Sequence, residues 1–144
     1  MILYCDSSAL VKRYLKEEGS DAFDRFWDDY SEIATSVVAY AECLAAFNRR
    51  LREKDINRED HELLSRQFKG EYYQLLLVPI SEATNEIADK LIGKYPLRGF
   101  DAIHLSSALL IQQIGKIEVV FAAFDKTLNQ AAKEENLKVP FFSF

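Results

Sequence analysis

At 144 residues, with 49% hydrophobic and 28% charged side chains, the chain is long enough for one sizeable core and too apolar to stay disordered. No apolar run approaches the roughly 20 residues of a membrane span, and an acid at position 6 with no basic stretch before it does not fit a signal peptide, so a cytoplasmic protein without a membrane is expected. The net charge of −5 disfavours a nucleic-acid partner at face value, and two thiols at no metal-type spacing, Cys5 and Cys43, read as small buried hydrophobes rather than as a disulfide framework.

In chain order, Ile2 to Cys5 predicts a short buried strand that ends at Asp6. Ser7 and Ser8 are placed to cap a helix with the stripe Leu10, Val11, Tyr14 and Leu15, ending at Gly19. Ser20 caps a second short helix carrying Phe23, Phe26 and Trp27, and Ile33 to Thr35 is a strand. Ser36 caps a long helix with Val37, Val38, Ala41, Leu44, Ala45 and Leu51 at helical spacing, running out into Arg49, Arg50, Arg52 and Lys54. A more polar helix follows over 57–73, then an apolar strand over 75–79. Ser81 caps a helix through Ile87, Leu91 and Ile92 that breaks near Gly93 and Pro96. Asp101 to Ile114 is apolar on several sides, which predicts a central helix. Val119 to Phe124 predicts a strand, Lys126 to Glu135 a helix and Leu137 to Phe142 a fifth strand.

Apolar strands joined by helices indicate an α/β domain, a single one over residues 1–144, whose mostly parallel sheet of about five strands is covered on both faces. Ligands of such sheets gather beyond the carboxyl ends of strands, where the strand order switches. Asp6 and Asp125 both fall just past such ends.

Two further acids share apolar settings. Glu42 has Val38, Ala39, Ala45 and Ala46 at i±3 and i±4, so its carboxylate shares a buried-looking face. Asp101 opens the apolar helix, where capping alone is an alternative reading. Unpaired buried charge is costly, so Asp6, Glu42, Asp101 and Asp125 together call for a shared partner, and oxygen donors suit a hard divalent cation. Removing the four acids from −5 leaves −1, so their neutralisation would lift the objection to a nucleic-acid partner. Carboxylates with Mg²⁺ or Mn²⁺ suit phosphodiester hydrolysis. Ser7 and Ser8 either cap their helix, support the acids or hold a phosphate. Lys12, Arg13, Arg49, Arg50, Arg98 and Lys126 are candidates to rim the pocket, Arg98 foremost. His104, one turn after Asp101, is read as a structural hydrogen-bonding residue in preference to a general base, and His61 as solvent-exposed.

The segments Asp6-Ser7-Ser8-Ala9-Leu10-Val11-Lys12, Ala41-Glu42, Leu97-Arg98-Gly99-Phe100-Asp101-Ala102-Ile103-His104-Leu105 and Phe124-Asp125-Lys126-Thr127-Leu128 are each short, but their order and spacing resemble the PIN domains. Among these the chain is similar to the toxin ribonucleases of VapBC toxin–antitoxin pairs, over nearly its whole length. The resemblance implies a three-layer α/β/α domain, endonucleolytic cleavage of RNA, and an acidic quartet of Asp6, Glu42, Asp101 and Asp125 that binds Mg²⁺ or Mn²⁺ mainly through Asp6 and Asp101. It also implies a VapB-like antitoxin and a homodimer. Ala123 departs from the pattern, since many relatives carry Ser or Thr two positions before the last acid. The aromatic surface of Phe23, Phe26, Trp27 and Tyr30 exceeds what one short helix needs for packing, and is expected to meet a dimer mate or an antitoxin. A non-catalytic PIN-like binding module is the rival reading. An aspartyl-phosphate enzyme fits poorly, because Ser7-Ser8 brings no second acid two residues after Asp6.

Overall fold

The computed structural model describes residues 1–143 as a parallel sheet between two layers of helices. Four strands form it: β1 (Ile2–Cys5), β2 (Ile33–Ser36), β3 (Leu76–Val78) and β4 (Val119–Ala122), in the order β3-β2-β1-β4. The helices are α1 (Ser7–Tyr14), α2 (Ser20–Trp27), α3 (Ala39–Arg52), α4 (Arg58–Tyr72), α5 (Glu82–Lys94), α6 (Gly99–Gly115) and α7 (Lys126–Glu134).

The period of two along a strand divides the core. Leu3, Cys5, Val120 and Ala122 face α1 to α4, where Leu10, Phe23, Phe47 and Phe68 pack. Ile2, Tyr4, Val119 and Phe121 face α5 to α7, against Leu91, Leu105 and Leu128. Both faces of β1 and β4 are therefore buried, which explains their continuous apolar runs. The pairing Ile2↔Val119 to Cys5↔Ala122 brings the two strands to an end together, so Asp6 and Asp125 leave the same edge of the sheet. The chain grows outward from β1 through β2 to β3, then returns to the other side of β1. The switch in strand order lies between β1 and β4.

Four expectations are corrected. The fifth strand is reduced to a bridge from Val120 to Lys138, with the Phe121 amide donating to the Lys138 carbonyl at 2.8 Å. Pro140 has no amide to continue a ladder, and the chain turns there. Along α3 the buried positions are Ala39, Cys43 and Phe47, whereas Val37, Ala41 and Ala45 are exposed. Small residues on both sides of that helix hid its inner stripe. Finally, Phe23 and Trp27 are buried: Phe141, in the turning carboxyl end, packs edge-on to Phe23 and Phe26 and stacks on Phe124, while Trp27 packs edge-on to Phe23 under the Arg13 guanidinium. The surplus aromatics are thus matched within the chain. The first helix also stops at Tyr14; Gly19, at φ 90°, is where the chain turns into α2. Cys5 and Cys43 are free and buried, as expected.

Candidate active site

Both strand-end acids are anchored as helix caps. Asp6 has extended backbone and accepts through Oδ1 from the Ala9 amide at 2.9 Å and the Ser8 hydroxyl at 2.7 Å. Asp125 accepts through Oδ1 from the Leu128 amide at 2.8 Å. An exposed carboxylate would lose little by leaving such a position, but Asp6 is only 4% exposed. Burial pushes its carboxyl up to about 6, and the charge of Asp101 adds to the rise, against the hydrogen bonds from Ser8 and Ala9. Its Oδ2 makes no hydrogen bond among the described residues.

Ser7 and Ser8 are therefore not the caps. The Ser8 hydroxyl also accepts from the Phe124 amide at 2.9 Å, tying the end of β1 to the end of β4. The Ser7 hydroxyl donates to Glu42 Oε1 at 2.5 Å. Glu42 is half-buried at the start of α3 and receives a second bond from His104 Nε2 at 2.8 Å. Burial pushes Glu42 up, but the bonds from His104 and Ser7 outweigh it and hold the carboxyl below its usual range.

His104 itself is buried, with Nδ1 2.8 Å from the Tyr4 hydroxyl. A hydroxyl donating to Nδ1 leaves Nε2–H to donate to Glu42, so strand, helix and acid form one polar chain. This is the structural hydrogen-bonding role expected of His104, with both ring nitrogens engaged. Sequence reasoning missed Tyr4. Its only sequence signal is a hydroxyl within a strand buried on both faces, which must find a partner.

Asp101 lies in the first turn of α6, whose cap is Arg98. Arg98 Nε donates to Asp101 Oδ2 at 3.1 Å, and its Nη2 stands 3.8 Å from Asp125 Oδ2. The guanidinium thus sits among the acids, close enough to Glu42 for their charges to interact. The other basic candidates divide. Lys12 is held by Glu17 at 3.0 Å and lies over the Phe124 ring, beside exposed Arg49 in a cleft of about 420 Å³ that also takes in Ser7, Ser8 and Glu42. Lys126 is exposed at the start of α7. Arg13 and Arg50 are instead committed to the scaffold, Arg13 to Glu71 and the Trp27 ring and Arg50 to Glu17 and Asp55. A larger cleft of about 840 Å³ opens on the other side of Glu42, past Asp101 and Arg98 toward α5.

The donor set suits a hard cation: four carboxylates and no thiolate or imidazole, with one nearly buried oxygen of Asp6 unshared. Among the described residues, however, no three Asp, Glu, His or Cys side chains stand close enough to hold a metal ion together. The donor types fit a hard cation, but their spacing here does not gather three of them; Arg98, its side chain 82% exposed, lies between Asp101 and Asp125.

The profile of the PIN domain family matches residues 3–134. Over 138 residues the chain is 29% identical to ribonuclease VapC45 of Mycobacterium tuberculosis, covering 96% of this chain and 94% of that protein. In fold it is similar to FitAcB from Neisseria gonorrhoeae, with a TM-score of 0.68 at 15% identity and 96% of each chain covered. It is similar also to VapC20 of M. tuberculosis, a sarcin–ricin loop cleaving toxin, with a TM-score of 0.63 at 14% identity over 90% of this chain and 94% of that one. No helix among the described residues is long and apolar enough to cross a membrane.

Proposed function

We propose that this chain, which belongs to the PIN domain family, is a Mg²⁺- or Mn²⁺-dependent endoribonuclease and the toxin of a toxin–antitoxin pair. The observation that carries the reading is Asp6, a buried carboxylate with one oxygen unshared, at the switch point of a parallel sheet beside Asp101. The M. tuberculosis relative named a ribonuclease supports the reaction. Toxin–antitoxin complexes among the structural neighbours support a VapB-like antitoxin as partner. A homodimer belongs to the same proposal.

Asp6 and Asp101 would be the principal holders of the cation, with Glu42 and Asp125 completing the set. Bound there, the cation would activate a water and neutralise charge on the leaving oxygen. Ser8 and the Ala9 amide fix the Asp6 carboxylate; Ser7 and His104 fix Glu42. The two serine hydroxyls therefore serve the acids and reach RNA only through them. Arg98 is placed to exchange Asp101 for a phosphate, a stronger charge-assisted partner. Lys12 and Arg49 set positive charge along the second cleft.

If Arg98 competes with the cation, Arg98→Gln binds Mn²⁺ about two- to fivefold more tightly in calorimetry, the range of an exposed ion pair. Equal or weaker binding removes the competition. A catalytically silent binding module is the second reading, and the position of Arg98 between two of the acids favours it. Calorimetry at millimolar Mn²⁺ separates the two, since a silent module takes up little or no metal.

A further inference from the structure

We propose that a single RNA strand leaves the acids through a channel between α1 and the start of α7, where a phosphate displaces Glu17 from Lys12; this rests on the reading of the acids as an RNA-cleaving site. The cleft of about 420 Å³ that begins at Ser7, Ser8 and Glu42 meets another of about 400 Å³ that reaches Lys126. Lys12 and Phe124 line both, so the two open on either side of one ammonium. Each is at the small end of a ligand pocket, with room for about one nucleotide. Positive charge follows the path, from Arg49 beside the acids through Lys12 to Lys126 at the far end. Arg49 and Lys126 are exposed and make no ion pair among the described residues.

Lys12 is built to change partners. It follows Ser8 by one turn of α1, so the two share the helix face that lines the inner cleft. Its ammonium lies 4.7 Å from the centre of the Phe124 ring, and Phe141 stacks on that ring. With only 13% of the side chain exposed, the charge needs an anion, and Glu17 Oε1 supplies one at 3.0 Å. Glu17 is shared, however: its Oε2 stands 3.0 Å from Arg50. A phosphate that takes Lys12 therefore leaves Glu17 paired, and the exchange strands no charge. The acid of the outer cleft, Glu18, is exposed, so water and salt screen it. An A-form duplex is too wide to enter clefts of this size, whereas a single strand can follow them.

The test uses a labelled single-stranded RNA of about twelve nucleotides and the same RNA annealed to its complement. Binding is read by fluorescence anisotropy between about 50 and 200 mM salt, in an Asp6→Asn background that is not expected to cleave. Lys12→Gln should weaken single-strand binding about tenfold and Lys126→Gln about threefold. Each should lower the slope of log affinity against log salt by about 0.7. Lys116→Gln, at the opposite end of the sheet, is the control and should leave the slope unchanged. Glu17→Gln should tighten binding about threefold, a gain that disappears once Lys12→Gln is also present. A slope indifferent to Lys12 and Lys126, an equal loss from Lys116→Gln, or a Glu17→Gln gain that survives Lys12→Gln overturns the channel. So does a duplex that binds as tightly as the single strand. Cleavage by wild type with Mn²⁺ tests the nuclease separately. Cutting by a protein whose RNA binding ignores both lysines leaves the nuclease standing without the channel, and dependence on them without any cutting does the reverse.

Discussion

Asp6→Asn loses metal-dependent RNA cleavage by about a thousandfold or more and, without metal, makes the protein more stable. The loss follows from removing a principal cation ligand, on the order of 4 kcal/mol of transition-state stabilisation. The gain follows from burial. The folded carboxyl, at about 6, lies above the roughly 3.9 of an unfolded aspartate, so between those pH values the folded state binds more protons than the unfolded. Metal-free stability therefore falls as pH rises through that window, by on the order of 3 kcal/mol once both states are ionised. Asparagine carries no charge to desolvate and keeps an oxygen for the Ala9 amide and the Ser8 hydroxyl. In EDTA at pH 7 the variant should melt about 5–10 °C higher than wild type, and near pH 4 the two should melt alike. A variant that melts lower at pH 7, or one that cleaves like wild type, contradicts this account of Asp6.

His104→Ala should cost about 3 kcal/mol in urea denaturation, from the cavity left in the core and from two stranded polar groups, the Tyr4 hydroxyl and one side of Glu42. Tyr4→Phe removes one bond and should cost about 1 kcal/mol. Stability alone does not distinguish a core residue from one that positions an acid. The pH profile does: without the imidazole, Glu42 loses one of the bonds that hold its carboxyl low, so the acid limb of cleavage moves to higher pH. Melting that falls with an unmoved acid limb would leave His104 a packing residue only.

The fold was legible where local signals agreed. β1 and β4 read as continuous apolar runs because both faces of each are buried. Ser81 caps the helix it was expected to cap, whereas Ser20 and Ser36 do not: Gly19 and Val38 hold those positions without a side-chain cap. Signals that depended on distant partners misled. Pro140 was a local signal against a long fifth strand that the surrounding apolar run outweighed, whereas nothing local shows that Phe141 returns onto α2. The stripe of α3 was misread because Ala39 and Cys43 are no more apolar than the exposed Val37 and Ala45.

At the site, the sequence supplied the acids through their settings: two at strand ends, one in a first helical turn, one among small residues. Which serine serves which acid was not legible, since Ser7 and Ser8 both satisfy the pattern of a cap while the preceding aspartate holds the position. The path from Tyr4 through His104 to Glu42 joins residues 100 and 62 positions apart, and no spacing rule reaches that far. Arg98 was singled out for its nearness to Asp101; that it also reaches Asp125 depends on the return of β4 beside β1.

The most direct measurement is cleavage of mixed structured RNAs by the purified protein in Mg²⁺ or Mn²⁺, beside EDTA and Asp101→Asn controls. Cutting that disappears in both controls is the predicted result. A folded protein that takes up Mn²⁺ and leaves every RNA intact, or cutting that survives EDTA and Asp101→Asn alike, would contradict a metal-dependent nuclease built on these four acids.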